Sequence, residues 1–395
     1  MKDDTREKRR RELLPRISLL ACLALVVVSL GMALSPGSPK EPVEPPFSEQ
    51  ARSAALAETL RLRAAGEQLG QSPAGDGQPA ITSTVSLLTS HARALLVPGQ
   101  DEPALTLSPG PATASAAASA PVAAAASVAA SPSAAAPGPA SAAALATELA
   151  ASASQRLSDA AVADGGMARL LAAVGTAQLL QASALAAAVG APAPAVPDPA
   201  APPLSGACPS PAASPSSTPG SAAAGTDAPA ASPSSSGPAS APVAVPASLS
   251  AALAATVAAE LETVYGYQVA LTRLDGDAAG PASEQLARHE ALAADAEALS
   301  RMHCTVVPLR EAGYKMDQKF LVSPAAGLGA LEVSALPVYG DLVALSEGET
   351  RRWAISGLVG AARRTALWGA EAGVLPGLAA DQEQFPELPA PSPSP

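Results

Sequence analysis

The chain has 395 residues, of which 48% are hydrophobic, 15% are charged and 2% are aromatic, and its formal net charge is −11. About a quarter of the residues are alanine, and there are 41 prolines and 30 glycines, so a single large core built from bulky side chains is excluded. The negative charge argues against nucleic-acid binding, which requires a cationic surface. The sequence has no Gly-rich phosphate loop, Ser/His/Asp arrangement or zinc-ligand spacing, so we expect neither enzymatic activity nor a cofactor.

The first predicted element is a membrane anchor. Residues 1–16 contain a basic run from Arg6 to Arg16, and residues 17–34 follow without a charge. A helix of this length would be about 27 Å long, which is close to the hydrocarbon thickness of a bilayer. The basic flank predicts a cytoplasmic N-terminus by the positive-inside rule. We therefore expect a single-span signal anchor at 17–34, with the bulk of the chain outside the cytoplasm at the cell membrane.

Two other interpretations of this segment stay open. The small residues Gly31, Met32 and Ala33 suit a cleaved secretory signal, which would release the protein. The sequence from Leu19 to Cys22 resembles a lipobox, in which Cys22 would carry the lipid. The long apolar run follows Cys22 instead of preceding it, so the anchor is the favoured interpretation.

A Pro-rich spacer at 35–47 leads into an Ala-rich helical region at 48–189. Apolar residues recur at the helical period in four segments of this region: 48–69, 81–97, about 140–162 and 167–189. A low-complexity stretch of Ala, Pro and Ser at 99–139 separates the two pairs of segments. Because alanine buries little area, we expect a weak helical bundle here.

Residues 190–247 repeat the low-complexity composition, and residues 388–395 form a Pro-rich tail. Frequent proline and the lack of apolar bulk predict disorder in both segments. Cys208 lies in the first of them, and the next cysteine is Cys304. A disulfide between the two is possible in an oxidising exterior, but two unpaired thiols are the favoured expectation.

The last region, 248–387, carries most of the aromatic residues and predicts a four-helix bundle. The first of its helices is expected to begin at Ser248. The other three are expected to cover 282–303, about 325–345 and about 347–370. Ser346 and Glu349 match the capping-box pattern at the start of the fourth helix. The expected fold class is therefore all-α, with long disordered linkers and an N-terminal transmembrane helix.

A set of motifs in this region resembles a known family. These are the run from Glu260 to Leu271, the run from Ala287 to Glu290, Leu331-Glu332 with Tyr339, Ala362-Arg363 with Trp368, and Phe385-Pro386. Together they resemble the actinobacterial ferritin-like domain family of unknown function, over about residues 248–387. The resemblance implies a ferritin-like four-helix bundle in an exported or lipid-anchored protein.

Three residues of the bundle are candidate metal ligands: Glu260, His289 and Glu332. A ferritin-like di-iron centre uses one Glu from each of two helices and a Glu-x-x-His motif from each of the other two. This sequence offers only these three candidates, and no Glu stands three residues before His289. The favoured interpretation is a buried polar cluster in which Glu260 and Glu332 pair with His289 or Arg363.

These observations predict a membrane-anchored cell-envelope protein with a non-enzymatic structural or interaction role. The alternative is a bundle that binds a metal or a small molecule through Glu260, His289 and Glu332. The sequence predicts the membrane as one partner, excludes nucleic acid, and identifies no protein or envelope partner and no oligomeric state.

Overall fold

The structure is a computed structural model that describes residues 44–71, 77–96, 139, 141–194, 204, 208 and 248–389. The predicted anchor at 17–34 and most of the predicted linkers at 99–139 and 190–247 lie outside the described residues. The described residues from Phe47 onwards belong to one compact unit. The described part of the chain contains α-helices and short 3₁₀ turns but no strands, so the all-α expectation is confirmed there.

The described residues form nine α-helices. In chain order they are α1 (Phe47–Gly70), α2 (Gln78–Leu95), α3 (Ala142–Ala160), α4 (Gly165–Ala188), α5 (Leu249–Leu271), α6 (Ala279–Met302), α7 (Gln318–Val322), α8 (Pro324–Leu345) and α9 (Gly348–Leu367).

Polar side chains define several helix starts. Ser141, Asp164 and Ser248 each accept a hydrogen bond from the backbone N–H three residues later, at α3, α4 and α5. The capping box expected at α9 is wrong. Glu347 is the N-cap residue there, and the Ser346 hydroxyl donates instead to the carbonyl of Leu342 at the end of α8.

The helices pack as two groups that share one interior. Helices α1 to α4 pack in neighbouring pairs, and α5, α6, α8 and α9 form the second group. Helix α4 lies between them because it packs against α8 and α9 as well as against its own group. Its residues are buried on most of its circumference, including Leu171, Val174 and Leu179.

Two of the described helices, α4 and α8, are long and apolar enough to cross a membrane. Two thirds of the apolar window of α4 and half of that of α8 are buried inside the unit. Their apolar character therefore suits the core helices of a packed domain.

The segment after α9 crosses the second group and returns to the first. Its Val374 carbonyl accepts from His91 Nε2 of α2 at 2.8 Å, and its Gly377 carbonyl accepts from Arg169 Nε of α4 at 2.7 Å. Leu375 is buried against α4. This C-terminal segment thus connects α2 and α4, and its Gly377 also packs against Gly340 of α8.

The structure joins Cys208 to Cys304 in a disulfide, so the expectation of two unpaired thiols is wrong. Their Cα atoms are 5.3 Å apart, inside the range that disulfides require. Cys304 adopts a left-handed conformation, with φ 55°, just beyond the end of α6. Local sequence signals do not indicate this contact, because it depends on where Cys208 lies relative to the end of α6.

Candidate functional site: a buried charge cluster

The three predicted site residues come together in the interior of the second helix group. Glu260 lies on α5, His289 on α6 and Glu332 on α8, and each is at most 1% exposed. His289 Nδ1 is 2.7 Å from Glu260 Oε2, and its Nε2 is 2.8 Å from Glu332 Oε1. The imidazole ring therefore bridges the two carboxylates.

Side chains from the surrounding helices complete the hydrogen bonds of both carboxylates. The Tyr339 hydroxyl donates to Glu260 Oε1 at 2.6 Å, and the Tyr267 hydroxyl donates to Glu332 Oε1 at 2.7 Å. Arg364 Nε donates to Glu332 Oε2 at 2.9 Å. Every carboxylate oxygen of the pair thus accepts at least one hydrogen bond.

The sequence predicts Arg363 as a partner of the carboxylates, and this prediction is wrong. The arginine of the cluster is Arg364. Residues 353, 357, 360 and 364 fall on one face of α9, with the spacing of successive helical turns. Since adjacent residues on a helix point about 100° apart, Arg363 points away from this face.

The cluster extends to aromatic residues for which the sequence predicts no polar role. Trp368 Nε1 donates to the Tyr267 hydroxyl at 2.6 Å, so a continuous chain of hydrogen bonds runs from Trp368 to Tyr339. Gly357 lets Tyr339 approach α9, because a Cβ at position 357 would lie 2.0 Å from the tyrosine ring. Tyr267 belongs to the run from Glu260 to Leu271 that carries the family resemblance. The sequence does not indicate the hydrogen-bond partners of its hydroxyl.

The protonation of the cluster follows from its geometry. Burial by itself would lower the pKa of His289, but the hydrogen bonds to Glu260 and Glu332 outweigh burial and raise this pKa. Burial would raise the pKa of Glu332, yet hydrogen bonding to His289 and the charge of Arg364 lower it. A protonated His289 donates from both nitrogens, and with Arg364 it balances the two carboxylates. The buried charges then sum to zero.

The side chains of Glu260, His289 and Glu332 are not arranged as the ligands of a metal ion would be. A histidine ligand must be neutral and must offer a nitrogen lone pair, whereas both nitrogens of His289 face carboxylates. Arg364 places a positive charge against Glu332, where it would repel a bound cation. In the described part of the chain, no group of three or more His, Cys, Asp or Glu side chains is placed to hold a metal ion.

Helical packing and a charge-balanced interior therefore define this part of the protein as an all-α domain with an ion-pair core. A family model described as a domain of unknown function (DUF4439) matches residues 252–380, about a third of the chain. The matched region is similar to that domain, and it contains Glu260, His289, Glu332 and Arg364. No curated protein and no solved structure matches the chain.

Proposed function

We propose that the chain is a membrane-anchored cell-envelope protein of actinobacterial type. It displays a degenerate ferritin-like helical domain outside the cytoplasm, in a non-enzymatic structural or interaction role. The observation that carries the proposal is the closed hydrogen-bond network around Glu260, His289 and Glu332. In the position where a ferritin-like bundle would hold cations, Arg364 and a protonated His289 supply the positive charge.

The disulfide supports the extracytoplasmic part of the proposal. Disulfides persist in oxidising compartments and are rare in the reducing cytosol. Cys208 and Cys304 are bonded, and both follow the predicted anchor at 17–34. If the N-terminus is cytoplasmic and the rest of the chain is exported, this disulfide lies in an oxidising compartment, where it is stable.

Metal analysis of the full-length protein, purified in mild detergent from cells supplied with iron, manganese and zinc, tests the role of the cluster. We expect less than stoichiometric metal and no change in melting temperature on addition of a chelator. Glu260→Gln should lower the free energy of unfolding by about 3 kcal/mol, because it leaves a buried positive charge unbalanced. Its metal content should equal that of the wild type.

Glu284→Gln is the matched control, since Glu284 lies on α6 and is exposed. Its free energy of unfolding should stay within about 0.5 kcal/mol of the wild type. A stoichiometric metal in the wild-type protein that disappears in Glu260→Gln but not in Glu284→Gln would contradict the proposal and establish a metal-binding bundle.

A further inference from the structure

Arg364 has hydrogen-bonding capacity that the charge cluster does not use. Its Nε atom donates to Glu332, but its Nη2 atom is buried without a hydrogen-bond partner. The residue as a whole is only 6% exposed. Because the Nη2 atom has no accessible surface, a ligand could reach this guanidinium only at its Nη1 atom.

The guanidinium lines a small cleft between α6 and α9. The cleft has a volume of about 180 Å³, and Arg288, Asp295, Trp353, Ser356, Gly360 and Arg364 are among its lining residues. Helices α6 and α9 approach each other closely at few positions, which leaves space between them. This volume corresponds to about six water molecules, so it suits a small ligand.

The glycine at position 360 helps to keep the cleft open beside the arginine. A Cβ at this position would lie 3.1 Å from Arg364 Nη1, tighter than an ordinary contact. A larger side chain would press against the guanidinium and fill the space in front of it. The absence of a side chain therefore leaves the Nη1 atom of Arg364 facing the cleft.

Charges divide the cleft into a positive and a negative end. Arg288 is exposed and lines the same cleft as Arg364, whose charge is already balanced by Glu332 in the interior. Asp295 lies seven residues further along α6, or about 10 Å along the helix axis, and accepts from Trp353 Nε1. An anion at the arginine end thus meets the uncompensated charge of Arg288 and lies away from Asp295.

We propose that this cleft binds a small carboxylate anion at its arginine end. One carboxylate oxygen can accept from Arg364 Nη1 and the other from Arg288, and such charge-assisted hydrogen bonds are among the strongest in proteins. The Ser356 hydroxyl offers a further donor on the α9 side. The site shares Arg364 with the Glu260–His289–Glu332 network but lies on its cleft side, and it does not depend on the anchoring of the chain.

Calorimetric titration of the full-length protein in detergent tests the proposal, with sodium acetate, lactate and succinate as probes and sodium chloride at equal ionic strength as reference. We expect saturable binding of at least one carboxylate and a matching rise in melting temperature. Arg288→Gln should weaken this binding about tenfold through the loss of one charge-assisted hydrogen bond. Ala291→Phe should abolish it by filling the cleft.

Arg352→Gln is the matched control, because Arg352 is exposed on α9 and does not line the cleft. It should bind the carboxylate with wild-type affinity. The proposal is overturned if chloride and the carboxylates act alike, or if Arg288→Gln and Arg352→Gln weaken binding equally. Binding of phosphate or sulfate with no binding of any carboxylate overturns the assignment of the ligand class.

Discussion

Two buried histidines illustrate how one residue type takes opposite protonation behaviour from its neighbours. His289 lies between two carboxylates that stabilise its charged form. His91, on α2, has only the Val374 carbonyl as partner, and its Nδ1 atom is buried without one. Burial lowers the pKa of His91 to about 4, because the hydrogen bond with the Val374 carbonyl offsets only part of the cost of burying the charged form.

The pH dependence of stability should report His91. Since its pKa is lower in the folded state than the usual 6.5, the unfolded state takes up this proton first. Stability is therefore fully present above pH 6.5 and falls, by up to roughly 3 kcal/mol, as the pH drops towards 4. His91→Gln keeps a donor for Val374 and should remove most of this loss in urea denaturation at pH 6.5 and pH 4.

His289 should not obscure this measurement. Its pKa is raised on folding, so its contribution is fully present below pH 6.5 and is lost only as the pH rises through the folded value. Equal losses of stability in the wild type and in His91→Gln over this range would contradict the assignment to His91.

At the scale of elements, the contact between α8 and the C-terminal segment depends on a glycine. A Cβ at Gly340 would lie 2.0 Å from the Gly377 carbonyl oxygen, which belongs to the backbone and cannot rotate away. Gly340→Ala should therefore lower the free energy of unfolding by about 1–3 kcal/mol in guanidinium denaturation. Alanine favours helix over glycine, so a loss would show that the close contact decides the outcome.

Gly280 on α6 provides the control for this substitution. A Cβ there would meet nothing within 4 Å, so Gly280→Ala should leave stability unchanged or raise it slightly. If Gly340→Ala proved as stable as Gly280→Ala, the C-terminal segment would not pack against α8 as the structure shows.

The helices were predictable because their signals are local. Apolar residues at the helical period and start signals such as Ser248 indicated helices close to their observed bounds in α1 to α4 and in α5, α6, α8 and α9. The capping box at Ser346 was wrong because a tertiary context offered this hydroxyl the Leu342 carbonyl. The choice between Arg363 and Arg364 was also not local, since it depended on which face of α9 meets Glu332.

At the scale of the whole molecule, the disulfide links the predicted linker to the end of α6. The two cysteines are 96 residues apart, and closing so long a loop restricts the unfolded chain strongly. In a Cys22→Ala background, Cys304→Ser should lower the free energy of unfolding by about 2–4 kcal/mol. In intact cells the full chain should remain in the membrane fraction, with Cys208 and Cys304 unreactive towards an alkylating reagent until reduced.

Two results would contradict this arrangement. A mature protein in the culture medium that begins near Leu34 would show that the anchor is cleaved. Reactive thiols at Cys208 and Cys304 in cells, before any reductant is added, would remove the support that the disulfide gives to an extracytoplasmic location.

The amino-acid sequence by itself determined the helical class of the described residues and the candidates Glu260, His289 and Glu332, because periodicity and residue chemistry are properties of short segments. Tertiary structure alone decided that His289 bridges the two carboxylates and that Arg364 balances them. It also decided that Cys208 meets Cys304 and that a cleft opens beside Arg364. These are contacts between segments far apart in the chain, and they depend on how each helix is rotated and packed against the next.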